Sequence, residues 1–348
     1  MPRSVQPERV LREVERLPAA ADPDAFFGAL VATLAQQGFE FAGACWHLTD
    51  PATGLFVWTG HRGELPGDFA SALENEFLEE DVGKYAELAG RRRRAASLVS
   101  ETGGEPRRSA RFRRQLAPDG FADELRFAFA DSFGRWGSLG LFSERVFAAG
   151  EQEAAVGLVP VVARALREGV ALTTAAPAEG APGVLLLDAD DRVVSRDARA
   201  AELLDGAAAT GALPGAVHVL AARARACGGP VQGRTRGGGG EWIGLDASPL
   251  DDGDPTAGGG KGSIAVVLRP APAHSLLELR LRAAGLTERE REIARALLRG
   301  EDTATIAAGL HLSPWTVQDH LKAIFDKTGV RSRRAFVARW ALQAAAVE

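Results

Sequence analysis

The segment LTEREREIARALLRGEDTATIAAGLHLSPWTVQDHLKAIFDKTGV, residues 286–330, carries helix start and stop signals so closely spaced that only a run of short helices satisfies them. Thr287 followed by Glu290 is a capping box, Gly300 a C-cap, Asp302 an N-cap, Ser313 with Pro314 an N-cap and first turn, and Gly329 a second C-cap. In the helix from Pro314 to Thr328, Val317, Leu321, Ile324 and Phe325 recur at i, i+4, i+7 and i+8, which makes one stripe apolar. Trp315, Gln318, Asp319 and Lys322 are left on the other side. Only residues 309–312 separate this helix from the one before it. A short helix, a tight turn and a longer helix with a polar outer face make a helix-turn-helix.

The side chains on that outer face suit base edges. Gln can grip adenine through N6 and N7, Lys suits guanine, and Asp can accept from the cytosine amino group. Arg331, Arg333 and Arg334, beside the Ser332 cap, can hold phosphates at a helix N-terminus. Asp319 needs a reason, because a carboxylate approaching DNA is repelled unless a base donor meets it. Readout of cytosine is one reason, and pairing with Lys322 three residues on is the other. The plainer alternative, an amphipathic helix with a solvated charged face, requires caps, turn and basic flank all to be accidental.

The formal charge of −5 argues against a nucleic-acid binder only when taken whole. From Arg280 to Glu348 twelve basic residues face eight acidic ones, a surplus of four, so the preceding residues carry −9. A basic end on an acidic body is expected when one domain meets a polyanion. At 348 residues and 46% apolar, the chain suits two or three domains with their own cores. No apolar run is long enough for a membrane span and the N-terminus lacks a signal-peptide core, so a cytoplasmic location is expected. Cys45 and Cys227 are too few for a disulfide framework and are expected to be reduced and buried.

Upstream, residues 22–37 show helical spacing after an Asp that can cap. FAGACWHLTD and LFVWTG then read as a hairpin around residues 51–54, and DELRFAFA and RWGSLGLF as a second around residues 131–134. EQEAAVGLVPVVARALREGVAL closes the block as a helix despite Pro160. This predicts an α+β domain over residues 1–172. Residues 173–183, TTAAPAEGAPG, have linker composition. Residues 184–270 form a second α+β domain by pattern: strands GVLLLD and RVVS, two short helical stretches, then strands EWIGLDAS and SIAVVL. Glycine clusters at 237–240 and 258–260 read as hairpin connections. Residues 271–284 become a leucine-bearing linker helix, and residues 285–348 are all-helical.

LTEREREIARALLRG, IAAGLHLSPWTVQDHLKAIFDKTGV and SRRAFV, in one continuous register, resemble the LuxR-type helix-turn-helix domain across residues 285–340. The resemblance implies a four-helix DNA-binding module whose reader helix is Pro314–Thr328. It places Gln318, Asp319 and Lys322 at base edges, and Thr316, His320, Lys327 and Arg331 near phosphates. Two positions depart from the family, which usually has Lys where Gln318 stands and Lys-Glu where Ala304-Thr305 stands. Residues 22–171, with ACWHLTDPATG and GFADELRFAFADSFGRWGSLGLF, resemble the GAF-like domains that precede such modules in actinobacterial regulators. GVLLLDADDRVVSRDARAAELL with EWIGLDASPL and SIAVVLRP resembles a PAS domain. Together these resemblances imply a DNA-binding transcription regulator with sensing or dimerising domains. The implied partners are double-stranded DNA, a second copy of the chain and RNA polymerase, and a small-molecule ligand or cofactor of unknown identity is implied for the sensing domains.

Other constellations compete with this reading. VLLLDADD can be the phosphoacceptor strand of a receiver with Asp188 as acceptor, but an early acidic pair and a later lysine strand are missing. Cys45 with His47 is a fragment of a metal or haem site without converging ligands, and core packing is the simpler reading. His218 as an axial haem ligand lacks a motif. GGGKGS lacks the spacing of a phosphate loop. Arg91 to Arg94, with Arg107, Arg108, Arg111, Arg113 and Arg114, read as a solvated loop. No catalytic arrangement can be assigned roles, so no enzyme activity is expected. An interaction protein whose helical end only dimerises predicts no salt-dependent DNA binding, whereas a regulator requires it.

Overall fold

The computed structural model describes residues 5–18, 20–173, 180–204, 213–237, 241–250, 262–271 and 273–341. Residues 174–179 of the expected linker, Gly238–Gly240, Gly258–Gly260 and residues 342–348 lie outside the described residues.

Strands β1 (Gly43–Thr49) and β2 (Phe56–Gly63) form the first expected hairpin, and β4 (Asp123–Asp131) and β5 (Gly134–Ser143) the second. With β3 (Ala95–Ser97) they build one antiparallel sheet in the order β2-β1-β5-β4-β3. Alternation along β4 sends Leu125, Phe127 and Phe129 to one face, joined there by Trp46 and Leu48 of β1. That face is covered by α1 (Pro7–Val14), α2 (Pro23–Gln36) and the closing 25-residue α6 (Ala149–Thr173). Asp22 caps α2 by accepting the Asp24 and Ala25 N–H groups at 3.0 and 3.1 Å. The opposite face carries Cys45, His47, Glu124 and Arg126. It lies under α3 (Phe69–Phe77) and α4 (Tyr85–Gly90), with α5 (Leu98–Glu101), a 3₁₀ turn at Pro106–Arg108 and a π turn at Phe112–Leu116 alongside.

The second sheet runs β7 (Val193–Arg196), β6 (Gly183–Leu187), β10 (Ile264–Pro270), β9 (Trp242–Pro249), β8 (Val231–Arg236), again antiparallel throughout. The two sheets therefore share one strand order, 2-1-5-4-3. Strand β8, VQGRTR, has too many polar residues to stand out by pattern; its pairing with β9 makes it a strand. Helices α7 (Ala198–Leu204) and α8 (Gly215–Cys227) pack on the face bearing Leu185, Leu187, Ile243, Leu245, Val266 and Leu268.

The two α+β domains do not keep separate cores. Leu55, Phe56 and Leu73 of the first pack in one cluster with Val217 and Leu220 of α8. Next comes α9 (Ala273–Ala283), whose two leucine rows enter different cores. Leu276, Leu279 and Ala283 pack with the first domain, whereas Leu281, flanked by Leu277 and Ala284, packs with the C-terminal helices. One helix thereby splints the α+β body to the helical end.

Two expectations are corrected, and one alternative finds no support. Cys227 is exposed rather than buried, because it ends α8 beside Gly228, whose φ of 64° stops the helix. Arg111 is not solvated: its guanidinium is 2% exposed against a Glu124 carboxylate that is 1% exposed. Asp188 does not head a parallel receiver strand. It follows β6 in the turn of an antiparallel hairpin, and its carboxylate accepts the Asp190 and Arg192 N–H groups, both at 2.9 Å.

Candidate nucleic-acid interface

The C-terminal helices are α10 (Glu288–Leu298), α11 (Thr303–Gly309), α12 (Pro314–Thr328) and α13 (Arg333–Ala341). Their ends follow the punctuation in the sequence. Thr287 Oγ1 accepts the Glu290 N–H while the Glu290 carboxylate accepts the Thr287 N–H, closing the capping box. Asp302 caps α11 through the Thr305 N–H at 2.8 Å, and Ser313 caps α12 through the Thr316 N–H at 3.0 Å. The turn between α11 and α12 differs in one detail. Gly309, expected in the turn, ends α11, and the left-handed residue of the turn is His311, with φ 54°.

Val317, Leu321 and Ile324 are buried in a core with Ile293, Leu297, Ile306 and Phe336, which fixes how α12 is rotated. Trp315, Gln318, Asp319 and Lys322 are thereby turned outward, with Trp315 76% exposed. The structure brings these four together on one open face. Gln318 Nε2 donates to Thr303 Oγ1 at 3.3 Å, and Lys322 Nζ stands 3.4 Å from Asp319 Oδ1. Thr316 Oγ1 lies 2.8 Å from Ser313 Oγ, and His320 is half-buried beside the reading face.

The expected phosphate ligands divide into two groups. Arg331 and Arg334 are exposed at the start of α13, whose N-terminus Ser332 caps through the Ala335 N–H at 3.1 Å. Lys327 and Arg333 are already engaged. Lys327 Nζ donates to both Glu290 carboxylate oxygens, at 2.6 and 2.8 Å, and Arg333 Nη2 donates to the Glu301 carbonyl. Burial alone would raise the Glu290 pKa, but the bonds from Lys327 and Thr287 hold it below the usual carboxylate range. Glu290 thus caps α10 and anchors the end of α12. Its cap was legible in the sequence; the anchoring was not, since 37 residues separate it from Lys327.

Two constellations upstream also find places. Cys45 Sγ lies 3.8 Å from His47 Nε2 on the covered face of the first sheet. Burial lowers the His218 pKa against the pull of Asp191. Among the described residues no group of three His, Cys, Asp or Glu side chains is placed to hold a metal, and no helix is long and apolar enough to cross a membrane.

Residues 284–340 match the family model of bacterial regulatory proteins of the luxR family. The probable transcriptional regulatory protein NarL of Mycobacterium tuberculosis is 40% identical over 65 residues, which cover 18% of this chain and 30% of that protein. The chain therefore spans less than a third of that relative's length. Among solved structures, Escherichia coli SdiA covers 98% of both chains at 12% identity and a TM-score of 0.31. A Vibrio cholera VqmA–ligand–DNA complex is 18% identical over 47% of this chain and 82% of its own, with a TM-score of 0.24. Likenesses this distant decide nothing about the arrangement of the domains. The C-terminal segment is a LuxR-type helix-turn-helix domain.

Proposed function

We propose, taking the LuxR-type domain at residues 284–340 as the premise, that the chain is a sequence-specific DNA-binding transcription regulator controlled by its two α+β domains. The observation that carries this reading is the outward face of α12. A core of Val317, Leu321 and Ile324 holds Gln318, Asp319 and Lys322 exposed where a major groove can receive them. Those three residues read base edges, and Trp315 meets a thymine methyl or the sugar backbone. Thr316, His320, Arg331 and Arg334 hold phosphates. Lys327 and Arg333 join them with the N–H groups their protein partners leave free.

The first domain is read as GAF-like and the second as PAS-like. The shared 2-1-5-4-3 strand order supports a common sensor-type architecture. Two copies of the chain contact half-sites about one helical turn, roughly 34 to 36 Å, apart. The regulator works in the cytoplasm, and RNA polymerase is the partner through which bound protein acts on transcription.

Selection of bound sequences from random duplex DNA by the full-length protein tests the reading. Recovery of a two-fold motif, with affinity falling steeply as salt rises, is expected. Recovery of no motif, or sedimentation as a monomer on the selected DNA, overturns it.

A further inference from the structure

The covered face of the first sheet encloses a cavity of about 220 Å³ beneath α3 and α4. Its floor is charged yet internally paired. Arg111 and Arg126 donate to the two Glu124 oxygens, each at 2.7 Å, and Arg126 donates to Glu76 at 2.8 Å; all four side chains are at most 8% exposed. Burial would raise the Glu124 pKa, but the two guanidiniums hold it below the usual carboxylate range. Phe56, Phe69, Leu73 and Phe142 supply the walls. His47 stacks on Phe56 with centroids 3.8 Å apart, and its Nδ1 lies 2.9 Å from Thr59 Oγ1. Burial, reinforced by Arg126 and Arg135, pushes its pKa down to about 3, so the ring is neutral at pH 7.

One hydroxyl on this lining has no protein partner: that of Tyr85, on a residue 2% exposed. Leaving a buried polar group without a partner is costly, which a native site tolerates when it has a use.

We propose that this cavity binds an uncharged, planar molecule of about ten non-hydrogen atoms that carries a hydrogen-bond acceptor, and that α8 of the second domain responds to it. This deepens the reading of the chain as a regulator and rests on it. Two cations and two anions already satisfy one another, so an ionised guest would sit unpaired in a low-dielectric site. The Tyr85 hydroxyl has no acceptor for its proton, so a guest that accepts satisfies it. Aromatic walls favour a flat ring.

The coupling follows from what else lines the cavity. Leu213, Pro214 and Gly215 come from the second domain. Gly215 opens α8 so close to α3 that a Cβ there would stand 3.3 Å from Phe69 and 3.4 Å from Leu73. Both side chains also line the cavity, so a guest that shifts them moves the start of α8.

The test uses full-length protein without DNA and three probes: 2-quinolone with a carbonyl acceptor, naphthalene with none, and anionic 2-naphthoate. Saturation-transfer NMR should detect 2-quinolone binding, naphthalene about tenfold weaker, and no naphthoate. Tyr85→Phe should weaken 2-quinolone several-fold and leave naphthalene unchanged. Its melting temperature should be equal or higher, since an unpartnered hydroxyl is removed. Hydrogen exchange should slow in both α3 and α8 when 2-quinolone is added. Naphthoate binding as well as 2-quinolone, no probe binding, an unaffected Tyr85→Phe variant, or slowing confined to α3 overturns the proposal. None of these readouts involves DNA, so failure to select an operator would count against the regulator reading alone.

Discussion

Asp50 and Arg234, 184 residues apart in sequence, meet in a bidentate ion pair, Nε to Oδ2 at 3.0 Å and Nη2 to Oδ1 at 2.9 Å. The Asp50 side chain is fully buried, and Arg234 Nη1 donates to the Ser275 carbonyl in α9. One arginine therefore fastens the first α+β domain, the second and the splinting helix at a single point. Removing one partner of a buried pair leaves an uncompensated charge, which costs about 3 to 5 kcal/mol. Asp50→Ala is expected to lower the calorimetric melting temperature by the corresponding amount. The paired change Asp50→Leu with Arg234→Met should recover most of it. A single variant that melts as the parent does would show that the pair fastens nothing.

Lys327 and Arg334 should behave differently although both are proposed phosphate ligands. Lys327→Ala strands the Glu290 carboxylate, 6% exposed, and should destabilise the helical end by about 1 to 3 kcal/mol as well as weaken DNA binding. Arg334→Ala should leave stability unchanged and reduce the slope of log affinity against log salt by about one unit. Thermal melts and salt titrations of both variants separate the two roles. Equal effects on stability would contradict the structure's distinction between an engaged and an open cation.

The Lys322–Asp319 contact of 3.4 Å is exposed and worth only a few tenths of a kcal/mol, too little to account for a carboxylate on a DNA-facing surface. Asp319→Ala is expected to relax selection at one base pair per half-site while holding or raising affinity for random DNA. If the alanine protein selects an unchanged motif, specificity rests on Gln318, Lys322 and DNA shape.

His47 makes stability depend on pH in a definite direction. Its folded pKa of about 3 lies below the ordinary value of 6.5, so the unfolded chain takes up the proton first. The stability it confers is full above pH 6.5 and is lost as pH falls toward 3, at about 1.4 kcal/mol per pH unit. His218, also lowered by burial, adds in the same sense. Glu124 and Glu290, whose folded pKa values are depressed, lose their contribution as pH falls from the ordinary value of 4.5 through the folded one, below the pH 7 to 5 window. Between pH 7 and 5, His47→Gln should therefore lose about 2 kcal/mol less than the parent in denaturant titrations. Parallel pH profiles would mean that His47 is not held neutral.

The helical end was legible from sequence because its determinants are local. Caps at Thr287, Asp302 and Ser313 act within three residues, and the row Val317, Leu321, Ile324 needs only helical period to share a face. The two hairpins around residues 51–54 and 131–134 were legible for the same reason. Alternation in DELRFAFA likewise separates Leu125 and Phe127 from Glu124 and Arg126, but it does not say that the charged row is buried too. That required α3, α4 and Arg111 to close over it from elsewhere in the chain. Strand β8, the Asp50–Arg234 pair and the two-sided packing of α9 were likewise decided by tertiary structure. Each depends on partners distant in sequence, whose meeting is set by packing and charge neutralisation and leaves no periodic trace in the residues themselves.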